Sequence, residues 1–194
     1  MVQVLKEELR TAILYAAQDE FIKHGFLSAS VKRIAGKVGI SVGNLYRYYA
    51  GKDALFEAIV GPAYIELERI LIDHDKGSKE DASIPELIVE TLYNITTEFR
   101  RSLLILLYSS TGTRHEETVQ KIYRMMAENI VKHLVNYNRK LGKEIYTEQV
   151  SWPISVAFMQ GFFEIIRQHP DTHDYKKMLH QYITFWYQGL QAII

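Results

Sequence analysis

Apolar residues recur along most of the chain at the three- and four-residue spacing of a helix buried on one side. Leu9, Ile13, Ala16, Ala17, Phe21 and Ile22 predict a first amphipathic helix, closed by Gly25, the residue type that most easily takes a left-handed cap. Val31, Ile34, Ala35 and Val38 predict a short second helix that starts at Ser30 and stops at Gly39. Ser41 opens a third, reaching about Tyr49. A fourth starts near Lys52 and carries Leu55, Ile59 and Leu67 to about Ile72, with Pro62 expected to bend it. Residues 73–81 are polar, contain Gly77 and read as a linker. Ser83 and Glu86 then bracket a capping box with Pro85 in its first turn. Further helices are predicted over about 84–110, 114–141, 147–168 and 172–193, punctuated by Gly112, Gly142 and His169-Pro170. Only 145–150 has a strand-like pattern, and a lone strand has nothing to pair with. The predicted fold is all-α, with about nine helices. A small N-terminal three-helix domain spans 1–52, a connecting helix and linker 53–82, and a larger helical domain 83–194.

Composition narrows the class. With 194 residues, 47% hydrophobic and 24% charged, the chain can bury a core without metal or disulfide, which excludes disorder and low-complexity architecture. There is no cysteine, hence no thiol nucleophile and no Cys-ligated metal. The longest apolar run is 103–108, far short of the ~20 residues of a membrane span. Lys6, Glu7, Glu8 and Arg10 stand where an export signal needs apolar residues, so a cytoplasmic protein without a membrane partner is expected.

Charge changes the picture more. The formal net charge is zero, yet residues 1–60 hold eight Lys or Arg against six acids. No acid occurs between Glu20 and Asp53, while Lys23, Lys32, Arg33, Lys37, Arg47 and Lys52 fall in or beside that window. Such a stretch suits a surface facing phosphates, and equally a chance acid-poor solvated face.

The segment 30–49, Ser-Val-Lys-Arg-Ile-Ala-Gly-Lys-Val-Gly-Ile-Ser-Val-Gly-Asn-Leu-Tyr-Arg-Tyr-Tyr, has the length and punctuation of a helix-turn-helix. Projected at 100° per residue, Leu45 and Tyr49 of the third helix face the second, while Gly43 and Arg47, with Asn44 beside them, face away. Tyr46 and Tyr48 lie on the flanks. This is the layout of a helix lying in a major groove. Gly43 permits close approach, Asn44 suits adenine N6/N7, Arg47 suits guanine O6/N7, and the tyrosines suit the phosphate walls. Ser41 and the start of the third helix add a phosphate site. Lys52 adds a charge at the next helix start, so its loss is expected to weaken binding to every sequence alike and to flatten the salt dependence.

From Leu9 to Ile59, with Ser-Val-Lys-Arg-Ile-Ala, Gly-Ile-Ser-Val-Gly-Asn-Leu-Tyr-Arg-Tyr-Tyr and Gly-Lys-Asp-Ala-Leu, the chain resembles the N-terminal domain of the TetR family of transcriptional regulators. The resemblance implies DNA contacts from Lys32, Ser41, Val42, Gly43, Asn44, Tyr46, Arg47, Tyr48 and Lys52. Tyr49 stands where the family usually has phenylalanine, so its hydroxyl needs a partner. The resemblance also implies a homodimer on a double-stranded palindromic operator, and release, as from a repressor, by a small-molecule effector.

Two C-terminal stripes could form the dimer seam or the internal core. One contains Ile154, Phe158, Gly161, Phe162 and Ile165; the other contains Leu179, Tyr182, Ile183, Trp186 and Leu190. The resemblance implies the seam. Tyr93, Phe99, Tyr108, Tyr123, Met126, Trp152, Phe158 and Phe162 make the middle helices aromatic-rich, which suits either core packing or a pocket for an apolar or aromatic ligand. No catalytic residue, metal or cofactor is expected. Gly39-Ile-Ser-Val-Gly43 matches a nucleophile elbow without the strand an elbow needs, Gly51-Lys52-Asp53 lacks the rest of a P-loop, and Pro170 separates His169 from His173. Two rival functions remain: an all-helical small-molecule-binding protein or enzyme without DNA function, and a constitutive DNA binder without effector.

Overall fold

The computed structural model describes residues 2–73, 84–168 and 172–191, without the side chains of 2–5, 73, 84, 172, 173, 190 and 191. Eight α-helices follow in order: α1 Val2–Ser28, α2 Val31–Val38, α3 Val42–Tyr46, α4 Lys52–Asp73, α5 Ile84–Tyr108, α6 Thr118–Leu141, α7 Ser151–Gln168 and α8 Thr172–Gln191. A 3₁₀ turn, Glu148–Val150, precedes α7. No strand occurs among the described residues. Within them no helix is long and apolar enough to cross a membrane, and no group of three His, Asp or Glu could hold a metal ion. The linker 74–81, Ser83 of the capping box, and His169, Pro170 and Asp171 lie outside the described residues, as does the His173 side chain.

The chain packs as two compact units, one of residues 1–66 with 99–118, the other of 67–98 with 119–194. In the first, Phe21 is fully buried between Phe26 and Phe56, whose ring centres lie 6.0 and 5.1 Å away. Ile13, Ala16 and Ala17 of α1 join them, with Ile34 and Ala35 of α2 and Leu45 of α3. Ile22 does not: it is 43% exposed. The helical stripe of α1 is therefore one residue narrower than its spacing suggests. Ile105 and Leu106, at the end of α5, complete this core.

Glycines and capping hydroxyls stop the helices close to where the sequence puts the stops. Gly25 takes φ 66° and interrupts α1, and Gly39 takes φ 75° after α2. Three expectations are corrected. The third helix is regular only to Tyr46; Tyr48 and Tyr49 follow in a tight turn whose N–H groups both bond to Leu45 O. Residues 114–117 form a turn rather than the start of α6, because His115 is drawn inward onto Glu57. Residues 145–147 form no strand: the Asn138 side chain accepts the N–H groups of Ile145 and Tyr146 and donates to Tyr146 O, satisfying that backbone locally. Helix α4 runs on through Pro62, and α5 leaves helical geometry at Phe99 (φ −118°, ψ 16°).

In the second unit Phe162, Phe163 and Ile166 of α7 and Leu179 and Ile183 of α8 are buried. Buried polar groups are paired: the Tyr175 hydroxyl donates to Thr96 Oγ1 at 2.9 Å, and Ser155 Oγ donates to Tyr123 O at 2.6 Å.

Candidate nucleic-acid interface

Local capping sets the two helices of the motif. Ser30 Oγ accepts the Arg33 N–H at 3.4 Å and Ser41 Oγ accepts the Asn44 N–H at 3.1 Å, so each serine satisfies a backbone donor that its helix start leaves unpaired. Leu45, fully buried, and Tyr49, 5% exposed, anchor the third segment to the core from one side. The opposite side carries Gly43 and Arg47, both exposed, with Asn44 half-buried beside them. Tyr46 is exposed as expected, but Tyr48 is half-buried against the core, as is Val42. Among the described residues the side chains of Lys32, Tyr46 and Arg47 have no hydrogen-bond or ion-pair partner.

Gly43 is informative. A Cβ there would meet only Ser41 Oγ, at 4.0 Å, so nothing inside the protein demands glycine.

The basic window is less free than its sequence suggests. Arg33 binds Glu20, with Nε to Oε1 at 2.8 Å, and donates through Nη2 to Ser28 O at 2.8 Å. Lys37 pairs with Asp19, which also holds Arg101 of α5. Lys52, expected to meet phosphate, directs Nζ at three backbone carbonyls, those of Phe26, Leu27 and Ala29. Folding thus brings two acids of α1 against a stretch that has none of its own. Of the six cations of this window, only Lys23, Lys32 and Arg47 have neither an ion pair nor a hydrogen-bond partner among the described residues.

These pairs carry a pH dependence. The Lys37 and Arg101 cations hold the Asp19 carboxyl below its usual range. Burial pushes Glu20 upward, but Arg33 and the Ser30 N–H outweigh it and leave the carboxyl low. Burial likewise opposes, and His115 with Arg114 outweighs, at Glu57. A carboxylate held low in the folded state stabilises it fully above its unfolded pKa, and loses that effect as pH falls through the folded value. Thermal stability is therefore expected to be level from neutrality to about pH 5 and to fall below about pH 4.5, near the ordinary carboxylate values. In melts against pH, a double variant Asp19→Asn, Glu20→Gln should start lower and show the shallower acid limb.

Tyr49 answers its expectation differently. Its hydroxyl has no hydrogen-bond partner among the described residues, while the Arg10 guanidinium lies over its ring, 5.6 Å from the centre. Burial raises its pKa, with Arg10 opposing in part. Tyr49→Phe removes an unpartnered buried hydroxyl and should stabilise the fold by about 1 kcal/mol, a rise of roughly 2–4 °C in Tm.

The C-terminal residues fall into two sets. Phe162, Ile165, Leu179 and Ile183 are buried within the protomer, and Ile154 is half-buried against the Ile130–Leu134 cluster. Phe158, Gly161, Tyr182 and Trp186 remain accessible; the Leu190 side chain lies outside the described residues. Beside them the surface exposes Trp152, Pro153, Ala157 and Phe185, the last at 73%. Phe158 stacks on Tyr182 and meets Trp186 edge-on, giving an aromatic surface across α7 and α8. A Cβ at Gly161 would collide with the Tyr182 ring, so glycine there lets the two helices lie close.

The eight candidate pocket residues divide between the two compact units. Phe99 and Tyr108 belong to the first compact unit and the other six to the second. Tyr93 stacks on Tyr175, Tyr123 meets Trp152 edge-on and donates to Gln160, Trp152 and Tyr108 are largely exposed, and Phe162 is buried. An open groove runs along α7 past Trp152, Val156, Gln160 and Glu164. Sequence reading also passed over His115, whose buried ring bonds Glu57 through Nε2 at 2.9 Å and meets Tyr64 edge-on. An isolated histidine carries no signal of such a partner 58 residues away.

An all-helical chain with a capped helix-turn-helix whose outward face is glycine, asparagine and arginine belongs among the helix-turn-helix proteins. Residues 13–59 match the model for bacterial regulatory proteins of the tetR family. The chain resembles that family over this segment. It is 29% identical over 117 residues to the HTH-type transcriptional regulator UidR of Escherichia coli strain K12, which covers 60% of this chain and 58% of that regulator. The fold is shared with a TetR-like transcriptional regulator from Rhodococcus sp. RHA1, at TM-score 0.61 and 21% identity over 94% of this chain and 96% of the other. It is shared as well with NalD, the secondary repressor of the MexAB-OprM multidrug efflux pump in Pseudomonas aeruginosa, at TM-score 0.60 and 20% identity over 94% and 97%.

Proposed function

We propose that the chain is a DNA-binding transcriptional regulator, acting in the cytoplasm as a homodimeric repressor on a palindromic operator. The observation that carries this reading is the outward face of α3: Gly43 without an internal reason, and Arg47 and Tyr46 exposed and unpartnered among the described residues. Arg47 and Asn44 read base edges, Gly43 admits the backbone, and Val42 lies at the same edge. Lys32, Ser41, Tyr46 and Tyr48 hold phosphates.

One helix-turn-helix reads half a site, so two must be held about 34 Å apart. The aromatic surface of α7 and α8, with Phe158, Gly161, Tyr182 and Trp186 joined by Trp152, Ala157 and Phe185, supplies the seam. An apolar or aromatic effector binds in the second unit, where Tyr93, Tyr123 and Met126 offer aromatic and sulfur surface. It favours a form whose recognition helices no longer match one turn of DNA. Helix α4, one continuous element with residues in both units, is the natural lever. The chain works by binding and has no catalytic role.

Titration against a labelled duplex at moderate salt separates the readings. A regulator is retained on DNA and released by its effector. A helical carrier or enzyme shows no retention, and a constitutive binder is indifferent to every compound.

A further inference from the structure

We propose that Lys52 is a positioning residue that clasps the entry and exit of the helix-turn-helix together, and that it makes no phosphate contact; its effect on DNA rests on the reading above. Nζ lies 2.8 Å from Phe26 O, 3.2 Å from Leu27 O and 3.4 Å from Ala29 O. It also sits over the Phe26 ring, 4.4 Å from the centre. An ammonium has three N–H donors, and here each has a carbonyl. Ser28 O, the remaining carbonyl of this connection, is taken by Arg33. Two cations thus bond the four consecutive carbonyls of residues 26–29, at the end of α1 past the interruption at Gly25. Engaging a phosphate would draw Lys52 away from these carbonyls, of which those of Phe26 and Ala29 are half-buried.

The placement explains what the clasp does. Residues 26–29 lead into α2, and Lys52 follows directly on the turn out of α3, where Gly51 takes φ 141°. The clasp therefore closes residues 30–51 into a loop. The regular part of α3 is five residues, too short to hold its own orientation. Its direction depends on the packing of Leu45 and Tyr49 and on where its two ends are tied.

The test compares Lys52→Met, Lys52→Arg and Lys32→Met with the unaltered protein. Binding to a labelled duplex is followed over a range of potassium chloride, and melting is followed without DNA. The expected result for Lys52→Met is weaker binding to all duplexes, a slope of log affinity on log salt equal to the unaltered protein's, and a Tm lower by several degrees, partly restored in Lys52→Arg. Lys32→Met should keep its Tm and flatten the slope by about two units in a dimer, ~0.9 for each lost phosphate contact. A slope flattened to that extent by Lys52→Met overturns the proposal, whatever its Tm. Should the unaltered protein show no salt-dependent duplex binding, the regulator reading falls, and an unchanged Tm in Lys52→Met by itself overturns the clasp.

Discussion

Phe185→Glu combined with Ala157→Glu is expected to convert the dimer to monomer and to lower affinity for a two-half-site duplex by about 10²–10⁴-fold, the gain that linking two binding modules provides. Both positions are exposed on the aromatic surface of α7 and α8, so neither substitution removes a core contact. A two-fold interface sets the same patch of each subunit against its mate, and four new carboxylates would therefore gather in one desolvated seam. The monomer should melt cooperatively and keep its weak affinity for a single half-site. Sedimentation velocity read beside the duplex titration checks both parts. A double variant that stays dimeric places the seam elsewhere.

The second large effect belongs to Arg47. Arg47→Ala should reduce affinity for the preferred duplex by roughly 10–100-fold, the 1–3 kcal/mol of one bidentate base contact, while affinity for random duplex falls only by the loss of one charge. The exposed guanidinium makes no hydrogen bond or ion pair with other described residues, so its loss should leave the melting temperature unchanged. Competition titrations with preferred and scrambled duplexes measure the ratio. Equal losses on both would reduce Arg47 to a phosphate contact.

The helix-turn-helix was legible because its signals are local. Ser30, Gly39 and Ser41 act on backbone groups within three to five residues of themselves, and the apolar spacing of Ile34, Ala35 and Leu45 needs no knowledge of distant chain. Charge was legible only by half. The acid-free window is a fact of sequence, yet Asp19 and Glu20 reach Lys37 and Arg33 across 18 and 13 residues, and Lys52 reaches back 26 to a carbonyl that every residue possesses. Composition counts charges without showing what they face. The C-terminal stripes were legible as apolar lines, but not as core or surface. Helix α7 is apolar on two sides, with Phe162 and Ile166 turned to the core and Trp152 and Ala157 to the surface. Periodicity finds an apolar line but cannot say which of two lines is inside. The break at Phe99 left no mark at all, since phenylalanine is no helix stop.

Selection of bound duplexes from a random pool tests the assignment most directly. Enrichment of a palindrome whose half-sites are centred one helical turn apart, and its loss in Arg47→Ala, is the expected result. Recovery of unenriched sequence, or no recovery at moderate salt, would contradict it.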